Sequence, residues 1–160
     1  MQLFILDRNP IAAAHYLADC HVIKMCLETA QILSGVVLRH IGCLPSGLPK
    51  PQNTTHPVIK AINTDQKMSW VLAYFESILE EYSNRFNKEH AYYNLPAVYC
   101  SLFPSAVNTA PACEGLATVF TNFNTKEKDI VEAHRAYYKF KKSIIKKWKY
   151  TNSKEPNWLE

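Results

Sequence analysis

Lys24 and Glu28 are the first residues in this chain whose types and spacing suggest chemistry. Four residues apart on a helix, they share a face. An amine beside a carboxylate suits Schiff-base formation: a neutral amine attacks an electrophilic carbon while the carboxylate steadies the developing cation and moves protons. Close pairing opposes this use, because it favours the charged, non-nucleophilic amine unless burial intervenes. Met1 offers a second amine. An α-amino group is much less basic than a lysine and is substantially neutral near physiological pH, so Met1 is intrinsically the better nucleophile. A purely structural reading also stands, an i,i+4 ion pair worth about a few tenths of a kcal/mol with His21 satisfied by a neighbour.

These residues must be positioned by the stretch from Asp19 to Arg39. At about 100° per residue, His21, Lys24, Glu28, Gln31, Gly35 and Arg39 fall within a wedge roughly 80° wide. Val22, Ile23, Cys26, Leu27, Ala30, Leu33, Val36 and Val37 cover most of the remaining circumference. A surface helix shows an apolar stripe on a polar background; this pattern is the inverse. It predicts a helix wrapped by protein on most sides and open along one polar seam that lines a cleft, ending at Gly42.

Around it the chain reads as helical. Asp7 and Asn9 can cap and Pro10 suits a first helical position, so a short helix is expected over Ile11–Leu17 after an extended or irregular Met1–Leu6. The four prolines and Gly47 between Leu44 and Pro57 require a loop. From Val58 helical periodicity resumes. Asn63 with Gln66 is a capping-box pattern, and Met68, Val71, Leu72, Phe75, Ile78, Leu79 and Tyr82 supply the apolar face of a long helix ending near Phe86–Lys88. Glu76, Glu80 and Glu81 are expected on its solvated side. His90–Val107, broken by Pro96 and Pro104, reads as irregular with at most a short helix. Asn124 with Glu127 is a second capping-box pattern, predicting a last helix over about 125–148 followed by a tail, 149–160.

That last helix carries Arg135, Lys139, Lys141, Lys142, Lys146, Lys147 and Lys149, without an acidic residue among them, and Tyr137, Tyr138, Phe140, Trp148 and Tyr150 interleave with the cations. Cations attract phosphates and aromatic rings can stack on exposed bases. Arg135, Lys139, Lys142, Tyr138 and Trp148, together with Gln31 and Arg39 on the seam, are therefore the expected DNA contacts. A lysine-rich solvated helix end with its aromatics packed inside is the structural alternative.

The 160 residues, 48% hydrophobic and 20% charged, fit one globular domain over 1–160. The expected architecture is all-α, a compact bundle of about three main helices with long irregular loops. No apolar run long enough to span a membrane is expected, and Met1–Arg8 does not read as a secretory signal. Five cysteines, an odd set without C-x-x-C spacing, suit reduced thiols in a cytoplasm. A net charge of +4 fits a polyanion ligand without demanding one. No Gly-rich phosphate loop and no G-x-S-x-G elbow is present, so phosphoryl-transfer and serine-hydrolase readings have no support. His21, His40, His56, Asp19 and Glu28 could form a metal site only through the fold, since no H-x-x-x-H or comparable local motif occurs.

The segment Tyr16-Leu17-Ala18-Asp19-Cys20-His21, then Glu28, then Ser34 to His40, resembles the region around the catalytic glutamate of the pyrimidine-dimer DNA glycosylases of phages and bacteria, the endonuclease V type. The likeness is strongest over residues 16–41 and continues weakly through His56, the long helix to Phe86 and the last helix. The chain is also similar to a set of small phage-encoded proteins sharing Asp-x-His-x-x-Lys-Met-x-x-Glu-x-x-Gln, here Asp19 to Gln31, a His-Pro at 56–57, and Glu-Tyr-x-x-Arg-Phe-x-Lys-x-His, here Glu81 to His90.

The glycosylase resemblance implies a compact helical fold and an amino-terminal α-amine that attacks the sugar C1′. It assigns to Glu28 the carboxylate that stabilises the intermediate and assists β-elimination, and to His21 the histidine near the terminus. It implies no metal or organic cofactor, a double-stranded DNA partner bent for base flipping, and a monomer acting away from membranes. In that family the glutamate is flanked by DNA-holding arginines, where this chain has Leu27 and Gln31. The family also exposes a small residue by removing the initiator methionine, whereas Gln2 is bulky, which leaves Met1 to supply the amine and Lys24 as the alternative nucleophile. Two other classes remain open on the residues alone: a non-catalytic phage accessory protein that binds nucleic acid or a host protein, and a hydrolase acting on a nucleotide or RNA.

Overall fold

A computed structural model describes residues 1–160. The chain is all-helical: α1 (Pro10–His15), α2 (Asp19–Ile41), α3 (Pro57–Ala61), α4 (Asp65–Phe86), α5 (Leu95–Leu102), α6 (Pro104–Val107) and α7 (Ile130–Ile144), with a 3-10 turn at Asn157–Leu159. The three longest, α2, α4 and α7, are the main helices. α2 and α4 pack on each other; α1, α5 and α6 lie against α4, and α3 against α2.

Local sequence accounts for most boundaries. Asn9 caps α1 by accepting from the N–H groups of Ile11 and Ala12, and Pro10 occupies its first turn. Gly42 ends α2 at φ 81°, in the left-handed region that suits glycine. Thr64, rather than Asn63, caps α4 by accepting from Lys67 N–H; the Asn63 amide oxygen takes the Lys67 ammonium instead. The stretch expected to be irregular after His90 forms the two short helices α5 and α6, each with a proline in its first turn.

Three expectations are corrected. The last helix is shorter than 125–148: Asp129 caps it through Val131 and Glu132 N–H, and 117–128 is irregular. The Asn124/Glu127 pattern loses to Asp129, whose side chain meets two orphan N–H groups at once. The seam of α2 does not stay open along its length. His21 and Gly35 are buried, and a side chain at Gly35 would collide with Ile59 of α3, so glycine there allows the two helices to close. Conversely, Ile23 and Leu27, expected under protein, are 53% and 42% exposed. Finally, α2 is by length and composition apolar enough to cross a membrane, against the expectation that no run is; 67% of the relevant window is buried inside the fold, as a core helix requires.

The lead-in, Met1–Leu6, is not a surface arm. Residues 2 to 6 are buried, and the Phe4 ring packs on Tyr137 and Tyr138 of α7. The N-terminus is thereby threaded between α2 and α7.

Candidate active site

Where the lead-in passes α2, a cleft of about 310 Å³ opens, lined by Met1, Gln2, Phe4, Lys24, Glu28, His56, Val119, Thr121, Tyr137 and Lys141. Four separate segments meet here: the lead-in, α2, the start of α3, and the irregular 117–128 stretch with α7. Lys24 Nζ lies 3.4 Å from Glu28 Oε1. The Glu28 side chain is 14% exposed and that of Lys24 58%, so the carboxylate sits in the cleft wall and the ammonium reaches towards water.

Gln2 fixes the lead-in. Its amide nitrogen donates to the Leu3 carbonyl at 2.6 Å and to His134 Nδ1 at 3.2 Å, and its amide oxygen accepts from Val119 N–H at 3.1 Å. Ile5 N–H also donates to His134 Nδ1. With Nδ1 accepting, His134 is a neutral imidazole protonated at Nε2, and burial pushes it down to about 3. This lock holds Met1 in the cleft.

His56 caps α3 by accepting Val58 N–H on Nδ1, which leaves its proton on Nε2. Burial, helped by the positive terminal amine and opposed by Glu28, lowers it from the ordinary imidazole value. Met1, Glu28 and His56 all line this cleft. With Lys24 and Lys141 at the rim, the cleft is cationic around a single carboxylate, an arrangement that can hold a phosphate-bearing substrate while an amine attacks it.

His21 does not line this cleft. Ala18 N–H donates to the Tyr138 hydroxyl at 2.8 Å, and that hydroxyl is hydrogen-bonded to His21 Nδ1 at 2.9 Å. Burial, then Lys141 and Lys24, push His21 down to about 3, so it is neutral and wedged among Phe4, Tyr138 and Trp148. Its connection to the cleft runs through Phe4, a lining residue.

The expected DNA contacts are dispersed. Tyr138 is fully buried and faces protein, so its ring is core and offers no platform to a base. Trp148 packs edge-on against His21 and Tyr138. Arg135 donates to the Leu6 carbonyl, pairs with Asp7 and Glu132, and lies over the Trp158 ring. Lys142 pairs with Glu155. The Gln31 amide nitrogen donates to the Lys50 carbonyl, and Arg39 donates to that of Ile59. Lys139 is exposed, beside Arg135 and Trp158. Thr121 and His134, which the pattern did not single out, are brought in by tertiary contacts, as are Gln2, noted only for its bulk, and His56, considered only as a possible metal ligand and in the His-Pro at 56–57.

A larger concavity, about 510 Å³, lies between Gly115–Thr125 and the start of α7. It holds Glu127 and Lys128, whereas the paired Lys24 and Glu28 lie in the smaller cleft, which is therefore the candidate site. No three His, Cys, Asp or Glu side chains converge as metal ligands, and His21, His40, His56, Asp19 and Glu28 do not form such a set.

Fold and cleft together define a small helical protein with an amine–carboxylate site in a basic recess. The model of one family, pyrimidine dimer DNA glycosylase, matches residues 1–94, and the chain belongs to that family. The matched part runs from the lead-in to just before α5 and contains Met1, Lys24, Glu28 and His56; Thr121, Tyr137 and Lys141 lie beyond it. No curated protein and no solved structure matches the chain.

Proposed function

We propose that this protein is a DNA base-excision glycosylase with an abasic-site lyase step, working on double-stranded DNA as a monomer in the cytoplasm. The observation that carries the reading is the convergence of Met1, Lys24 and Glu28 in one cleft. The Met1 α-amine attacks C1′ of the damaged nucleotide; the C1′–N bond to the base breaks and the base leaves with a proton. The C1′–O4′ bond then opens, O4′ taking up a proton, and the resulting iminium at C1′ is stabilised by the Glu28 carboxylate. Loss of a C2′ proton then expels the 3′ phosphate by β-elimination. Lys24, on the same carboxylate, is the alternative nucleophile. His56 Nε2–H and Lys141 hold the sugar-phosphate, and His21 positions Phe4 and the lead-in behind it.

Borohydride reduction in the presence of a duplex carrying a pyrimidine dimer or an abasic site is expected to trap a covalent protein–DNA complex. Peptide mapping should place the adduct on Met1, and Glu28→Gln should lower turnover by about a thousandfold while leaving the melting temperature near that of the parent. Salt-dependent duplex binding with no trapped product on either substrate would overturn the reading in favour of a non-catalytic DNA-binding protein, the alternative that Leu27 and Gln31, at the family's arginine positions, keep in view.

A further inference from the structure

The most exposed apolar side chains on α2 before its C-terminal residue stand beside the cleft. Ile23 and Leu27 are 53% and 42% exposed, and with half-buried Cys20 they form a stripe at i, i+3 and i+7 along one face. Each directly precedes a cleft residue, Lys24 or Glu28. Leu27 therefore points about 100° round the helix from the candidate catalytic carboxylate.

The stripe's surroundings say what covers it. Lys24 flanks it on the helix, Lys141 shares the cleft with Lys24, and exposed Lys146, Lys147 and Lys149 follow on the segment that seats Trp148 against His21. Of the two carboxylates on α2, Asp19 is buried and Glu28 is inside the cleft. An apolar stripe in a cationic frame is complementary to a ligand with apolar flat faces and an anionic periphery, which describes a duplex opened at a base step.

We propose that Ile23 and Leu27 form an apolar wedge that enters the base stack next to the damaged nucleotide and unstacks it. This rests on the amine-chemistry reading above for where the damaged nucleotide lies. An inserted aliphatic side chain unstacks its step whatever the damage, so the substrate class is widened from dimers to any lesion that weakens stacking.

The test places 2-aminopurine beside an abasic site in a duplex and in the corresponding single strand. The parent protein is expected to raise 2-aminopurine fluorescence on binding the duplex. The double variant Ile23→Ala/Leu27→Ala should lose that rise, and its ratio of duplex to single-strand cleavage rate should fall about tenfold. Ile23→Leu/Leu27→Met, which keeps aliphatic bulk, should restore both. Unchanged fluorescence and an unchanged ratio in the alanine variant overturn the wedge, as does a concentration-dependent dimer in sedimentation that the alanine variant abolishes, since a second copy would then be the occupant. If the parent cleaves neither strand form, the amine chemistry fails, and the fluorescence rise on duplex binding still decides the wedge.

Discussion

Asp19 and Glu28 are carboxylates of the same helix, and the fold surrounds them in opposite ways. The Asp19 side chain is 5% exposed and meets Arg85, itself 1% exposed, at 3.2 Å. Thr151 donates to Asp19 from both its N–H and its hydroxyl, and Arg85 also donates to Glu81 and to the carbonyls of His15 and Leu17. Every strong donor and acceptor there is used, and the cluster ties α1, α2, α4 and the C-terminal segment together. Glu28 has one ionic partner, and that partner is more than half exposed. A saturated buried cluster has no capacity left for a substrate, whereas an undersatisfied carboxylate facing a cleft has. Asp19 and Arg85 thus form a framework cluster, and Glu28 lines the candidate cleft.

The contrast is broken most severely at Arg85. Arg85→Met leaves Asp19 buried with its main cation gone and should cost about 3–5 kcal/mol in urea unfolding; the fraction still folded should keep the parent's cleavage rate. An equal loss of rate in the folded fraction would show that the two clusters are not separate.

Acid should act on the buried histidines next. Folded His21 and His134 resist protonation down to about 3, while the unfolded chain takes up protons there below about 6.5. Because the unfolded state binds more protons, stability falls as pH drops through that window, by about 2 kcal/mol per histidine at pH 5. Urea midpoints at pH 7 and pH 5 measure it, and His21→Asn, which keeps an acceptor for the Tyr138 hydroxyl, should remove about half the slope. Burial raises Asp19, but Thr151 and Arg85 outweigh it and hold the carboxyl below its ordinary value. Its contribution is therefore present at neutral pH and is lost only below about pH 4.

A smaller effect is expected from Tyr138→Phe, which strips the acceptor from Ala18 N–H and the hydrogen-bond partner from His21 Nδ1. A loss of about 1–3 kcal/mol in thermal or urea unfolding is expected, with the duplex-binding constant unchanged if this ring is core. Smallest in stability is Lys24→Met, at most about 0.5 kcal/mol because the pair is open to solvent. A large fall in covalent trapping from this variant, with Met1 blocked or intact, would move the nucleophile from the terminus to Lys24.

Periodicity exposed α2 and the apolar face of α4, and His21, Glu28 and the 16–41 segment were enough to point to the family that residues 1–94 match. It misjudged charge on α4 and α7. Glu81, read as part of a solvated face, is drawn inward by Arg85 and His15. On α7, the cations looked unopposed because several of their acids lie outside the stretch: Asp7 and Glu132 for Arg135 and Glu155 for Lys142. Nor does sequence spacing reveal that Gln2 meets His134 and Val119, because no local pattern links residues so far apart.

The sequence by itself determined the helical class, the break at Gly42, and the amine–carboxylate spacing, because these follow from backbone preference and from a repeat of three to four residues acting within one turn. Only the tertiary structure decided which polar groups are spent and which are free. That depends on desolvation and on partners from distant segments, and it is why one carboxylate of α2 holds the fold together while the other faces an open cleft.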